Sequence, residues 1–108
     1  MNELNLNNSL KNVDFVSKTI LQIEKDFERS GVKINLSPHG DRESIENGIY
    51  EALTNLNPVT LQQLIYIIDI PENEFFKLQS NDFFFNALSE KILRREALKV
   101  FLRENLSA

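Results

Sequence analysis

Cysteine is absent from this 108-residue chain, histidine occurs once and glycine three times. Without cysteine there is no disulfide framework, no thiolate zinc or iron–sulfur site and no cysteine nucleophile. A single histidine, His39, makes a His-rich metal site or a Ser-His-Asp triad hard to assemble. With glycine only at positions 31, 40 and 48, no Gly-rich phosphate loop exists. Positive charge is also scarce: 12 Lys and Arg stand against 16 Asp and Glu. That balance disfavours broad attraction to nucleic acid or anionic membrane. Long apolar runs are missing too. The longest, Leu64 to Ile70, is broken by Asp69 and falls far short of the roughly 20 residues of a spanning helix. The first residues are polar and lack the basic and apolar regions of a secretory signal, so a cytoplasmic location without membrane association is expected.

What is present suits one globular domain. A composition 42% hydrophobic and 26% charged is ordinary for a folded chain, and the length fits a single core. Residues 1–8 are Asn-rich with few apolar positions, and they read as a flexible N-terminal arm ahead of a helical domain over 9–108. Leu10, Val13, Val16, Ile20, Ile23 and Phe27 then recur at spacings of 3, 3, 4, 3 and 4, one face of an amphipathic helix from Ser9 to Ser30. Asn8 or Ser9 is placed to cap its start, and Gly31 to end it in a left-handed conformation. Val32 to Leu36 alternates apolar and polar residues, but no second segment of that kind offers a strand partner. An extended connector is the expected form.

Ser37-Pro38-His39-Gly40 is turn chemistry, and Asp41 can cap a helix carrying Ile45, Ile49, Leu53 and Leu56. Gly48 within that helix suggests close approach of a neighbouring helix. Asn57-Pro58 restarts the chain as a helix through Ile68, and Pro71 ends that one and opens a short helix over Glu72 to Leu78. A last helix is expected from about Asp82 to Asn105. The fold class that follows is all-α: a small orthogonal bundle of about five helices around Leu64, Ile68, Phe84, Leu88 and Ile92, with an extended connector near residues 32–36.

Catalytic signals are weak. His39 with Asp41 and Glu43 could sketch a metal or acid–base cluster, yet the flanking proline and glycine place it in an exposed turn with no second imidazole. Carboxylate pairs such as Glu43 with Glu46 fit the helix N-termini where they stand. An enzyme would need a pocket where groups such as His39, Tyr50 and Glu46 converge. The expectation is no catalytic residue, no metal and no cofactor.

Residues 60–79 read as helix, tight turn, helix, and this stretch resembles the helix-turn-helix motif in its buried positions Leu64, Ile68, Ile70, Phe75 and Leu78. The resemblance covers about a fifth of the chain. It departs from the motif where Ile65 stands in place of a small residue and Asp69 in place of the turn glycine. Lys77 is the one base there against Asp69, Glu72 and Glu74, the wrong balance for groove docking. A nucleic-acid-binding regulator is therefore the alternative reading. It would gain if Lys11, Lys18, Lys25 and Arg29 formed one positive face beside the second helix.

Charge is uneven along the chain. Residues 1–40 are neutral, residues 41–82 carry two bases and eight acids, and residues 83–108 carry five bases and three acids. An acidic middle thus faces a basic last helix. Arg95 falls on the apolar side of that helix, so a carboxylate partner is expected. Asp69, within its apolar run, is the residue expected to form a structural ion pair with it. Eight phenylalanines, with Phe75-Phe76 and Phe83-Phe84-Phe85 close in sequence, exceed what one helix face buries. Phe76, Phe83 and Phe85 are accordingly the candidate interaction surface. The function expected from the sequence is a non-catalytic protein-interaction or structural module that binds a protein partner or associates with itself.

Overall fold

A computed structural model describes residues 2–106, and among them the chain is all-helical, with no strand. In chain order the helices are α1 (Glu3–Ser9), α2 (Val13–Arg29), α3 (Arg42–Thr54), α4 (Pro58–Ile68), α5 (Glu72–Gln79) and α6 (Phe84–Leu106). Six helices replace the expected five because the segment read as a flexible arm folds. Asn2 caps α1 by accepting from Asn5 N–H at 2.8 Å, and Leu6 is buried. Arg42 ties α1 down, donating from Nη1 to Asn7 Oδ1 at 2.7 Å.

The extra helix also shifts the start of its neighbour. Leu10 to Asn12 form a turn, and Asn12, not Asn8 or Ser9, caps α2 through Phe15 N–H. Val13 is consequently exposed, and the buried stripe runs from Val16 through Ile20 and Ile23 to Phe27. At the far end Gly31 takes φ +75°. Gly31 N–H donates to Glu28 O and Val32 N–H to Phe27 O, both at 2.9 Å, which places buried Val32 against the helix it leaves.

Val32 to Leu36 is an extended connector, and its alternation means that Val32, Ile34 and Leu36 turn towards the core while Lys33 and Asn35 face outward. It is also the segment that explains Gly48. A Cβ there would stand 2.5 Å from Leu36 Cδ2 and 3.4 Å from Asn35 O. The close neighbour is the connector rather than a helix.

Asp41 and Asn57 cap α3 and α4 by accepting from Ser44 and Thr60 N–H at 2.9 Å. The core joins Leu64 and Ile68 of α4, Ile45, Ile49 and Leu53 of α3 and Leu88, Ile92 and Leu93 of α6, with Phe84 partly buried against them. Helix α6 is the organising element: it packs most extensively on α3 and also touches α2, α4 and α5. Its buried positions (Leu88, Ser89, Ile92, Leu93, Glu96, Ala97 and Val100) form a two-residue-wide stripe at helical spacing. Glu96 is inside that stripe.

Candidate functional site

Helix α4 contains no charged residue, from Pro58 to Ile68. Leu64 and Ile68 bury one side of it. Val59 and Tyr66, seven residues apart, share the opposite side and are 66% and 85% exposed. Gln62 and Gln63 lie between them, also exposed. Tyr66 thus forms a ridge with a depression on each flank. One, of about 580 Å³, is lined by Arg29, Val59, Gln62, Gln63, Tyr66 and Ile67. The other, of about 570 Å³, has Ile65, Ile70, Pro71, Phe75 and Phe76 around it and Asp69 and Glu72 at its rim.

The second depression exists because of the turn that joins α4 to α5. Asp69 adopts φ +72° and ψ +53°, the left-handed conformation that glycine takes most easily. Its N–H donates to Ile65 O at 3.0 Å, and Ile70 N–H donates to the same oxygen at 3.1 Å. Ile70 and Phe75 are buried by this reversal, while Phe76, one residue on, is left 60% exposed. Asp69 is itself 74% exposed at its side chain rather than embedded among the isoleucines. From that position its Oδ2 accepts from Arg95 Nη2 at 2.7 Å, so the pair bridges the turn to α6.

The three phenylalanines expected to form one surface are separated. Phe76 lines the depression beside Tyr66. Phe83 is exposed ahead of α6 but does not line that depression. Phe85 is half-buried, edge-on to Tyr50 of α3 at a centroid distance of 6.4 Å, and packed on the core. The 100° step between successive helical residues carries Phe84 and Phe85 inward, with Phe84 stacked edge-on to Phe75 at 5.8 Å. Val59 and Tyr66 are the residues that sequence reasoning missed. Their signal is an apolar pattern on both sides of α4, which fits full burial as well as an exposed face.

The groups named for a catalytic pocket do not converge. Tyr50 and Glu46 line a depression of about 220 Å³ between α3 and α6. His39 is exposed on its turn, beside Leu10, Lys11 and Val13. Lys11, Lys18 and Arg29 form no common face beside α5 either. Lys18 pairs with Glu104 at 2.6 Å and Asp14 at 3.1 Å, Lys11 lies near His39, and Arg29 flanks α4.

Opposite this surface in character is the seam between α2 and α6. Asp26 of α2 and Glu96 of α6 are 1% and 0% exposed. Lys99 reaches both: Nζ lies 2.7 Å from Asp26 Oδ2 and 2.8 Å from Glu96 Oε1. The bond to Asp26 is well directed, and Gln22 Nε2 donates to the other Asp26 oxygen at 3.2 Å. The Lys99–Glu96 approach lacks that alignment, and neither Glu96 oxygen accepts a directed hydrogen bond. Burial pushes the Glu96 carboxyl up to about 8, against the pull of Lys99 and with the help of Asp26. Burial would raise Asp26 as well, but the hydrogen bonds from Lys99 and Glu96 outweigh it and hold Asp26 below the usual carboxylate range. The two acids are driven apart in the manner of a coupled pair.

Comparison of the chain with protein-family models, with curated proteins and with solved structures found no match in any of the three. Among the described residues no helix is long and apolar enough to cross a membrane, and no group of three or more His, Cys, Asp or Glu could hold a metal ion.

Proposed function

We propose that the protein is a non-catalytic interaction module that associates with a second copy of itself through the outer face of α4. One observation carries this reading: Val59 and Tyr66 stand exposed on a helix face without charge, beside a depression walled by Phe75 and Phe76. A tyrosine ridge and a depression with room for a tyrosine occur within one patch. A two-fold interface needs that self-complementarity, because the same surface serves both partners. The lack of charge on α4 removes like-charge repulsion where its copies would meet, and an aromatic anchor in an apolar pocket is the usual centre of such contacts. Asp69, at the rim of the depression, is answered by Arg95 within its own chain.

Light scattering coupled to gel filtration tests the reading. The expected mass is twice the 12.5 kDa of one chain, and Tyr66→Ser should return it to the monomer value. A monomer at every concentration, or a dimer indifferent to Tyr66→Ser and Phe76→Ser, would remove the proposal.

The alternative, a helix-turn-helix-like nucleic-acid-binding regulator, draws on the α4–turn–α5 hairpin. Weighing against it, the exposed start of α5 carries Glu72 and Asn73, with Lys77 as its one base. Carboxylates at that end oppose phosphate contact. Fluorescence anisotropy with labelled duplex DNA at low salt separates the two readings, with no binding expected.

A further inference from the structure

The seam between α2 and α6 holds more acid than it can keep ionised. Two carboxyl groups are withdrawn from water there, and one ammonium, Lys99, lies between them. The remaining groups around them do not supply a second full counter-charge. On α2, Arg29 Nη1 stands 3.8 Å from Asp26 Oδ1 at the solvent edge, and Gln22 is neutral. Thr19, also buried, spends its hydroxyl on Phe15 O at 2.9 Å. Further along, Lys18 is engaged by Asp14 and Glu104, and Arg103 donates to Gln22 Oε1. On α6, Arg95 is turned to Asp69, and Arg94 to Glu90 at 3.2 Å. Helix α4, which packs on both α2 and α6, contributes no charge. Arg42 of α3 pairs with Glu46 on its own helix and meets α6 at Glu90, and Glu74 of α5 meets α6 at Lys91.

We infer that Asp26 and Glu96 share one proton, and that this proton latches the C-terminal half of α6 onto α2, so that rising pH loosens the contact. In the closed form Glu96 is the acid and Asp26 the carboxylate, and Lys99 balances the single negative charge. When the proton passes to water, two buried carboxylates face one ammonium. The second charge must then be hydrated, and the route to water is separation of α6 from α2 along Glu96, Lys99 and Arg103. The remaining bonds of the seam, Lys99 to Asp26, Arg103 to Gln22 and Glu104 to Lys18, are the ones that lengthen in that opening. The other end of α6, held by α3 and the phenylalanine cluster, does not depend on the proton.

The direction follows from linkage. A carboxyl whose folded pKa lies near 8 against an ordinary 4.5 binds its proton more tightly in the folded chain. Its contribution is fully present below about 4.5, declines as pH rises through that window and levels off above about 8.

The test is a carbon-detected NMR titration of the side-chain carboxyls in the full chain, with amide hydrogen exchange read on the same samples. Glu96 should titrate far above every other glutamate. Exchange protection over residues 97–105, corrected for the intrinsic rate, should fall about a hundredfold between about pH 6 and about pH 9, while α3 stays protected. Glu96→Gln, which mimics the protonated group, should keep its protection across that range. Asp26→Asn gives a second arm: with Lys99 serving Glu96 alone, the Glu96 titration should move down towards the ordinary range. The inference is overturned if Glu96 titrates among the ordinary carboxyls, if Glu96→Gln loses protection as the parent does, or if Asp26→Asn leaves the Glu96 titration in place.

Discussion

The α2–α6 seam and the outer face of α4 both run against the usual distribution of polarity, in opposite senses. The seam buries Asp26 and Glu96 where apolar residues belong, with the half-buried Lys99 reaching in to both. The α4 face exposes Val59 and Tyr66, and α5 adds Phe76. Each departure has a different energetic character. A buried charge cluster holds only while every member is present, because removing one leaves the others uncompensated. An exposed aromatic contributes little to its own chain and gains its value when something covers it. The first region therefore bears on how the bundle holds together, and the second leaves apolar surface in contact with solvent.

The largest effect that separates the two is expected from Lys99→Met. It leaves Asp26 buried without its ammonium, and urea unfolding at neutral pH should show a loss of about 3 kcal/mol with an unchanged slope. Restoring an isosteric neutral group opposite, in Lys99→Met with Asp26→Asn, should recover part of that loss; equal destabilisation in both variants would show that the seam is not governed by charge. On the other region, Tyr66→Ser should shift unfolding measured at monomer concentrations by less than about 0.5 kcal/mol, while weakening association by tenfold or more. A large loss of monomer stability would mean that the tyrosine belongs to the fold rather than to a contact. The smallest expected effect lies at the joint between them. Asp69→Asn tolerates the left-handed turn and forfeits only the exposed bond to Arg95, so its thermal midpoint should stay close to that of the parent. Asp69→Ala adds the backbone penalty and should cost about 1 kcal/mol more.

Much of this arrangement was legible in the residues. Caps at Asp41 and Asn57, the left-handed end at Gly31 and the core set of Leu64, Ile68, Leu88 and Ile92 follow from local rules that tertiary contacts did not override. The Asn-rich beginning did not read as a helix because its propensity is poor; burial of Leu6 and the reach of Arg42 to Asn7 supply what propensity lacks. The seam was hidden for a different reason. Glu96 sits four residues after Ile92 and four before Val100, and Asp26 three residues after Ile23, so both fall on apolar stripes. Charge type alone places a glutamate such as Glu96 on the solvated side of a helix. Position on the stripe, combined with Lys99 three residues later, is the signal that would have found it. Exposure of Tyr66 was illegible because a helix that is apolar on two sides is equally consistent with full burial, and the difference depends on what packs around it.

The Asp26–Lys99 bond joins residues 73 positions apart, and this has a consequence for how the chain is made. During synthesis α2 emerges long before residues 96–99 exist, so Asp26 stands on the inward face of its helix with neither the ammonium nor the acid that it needs there. Withdrawal of that carboxylate from water has to await the arrival of α6. A chain interrupted before residue 96 keeps an ionised group in the middle of its apolar stripe and cannot close the seam. The α2–α6 seam is thereby among the last contacts of the bundle to close.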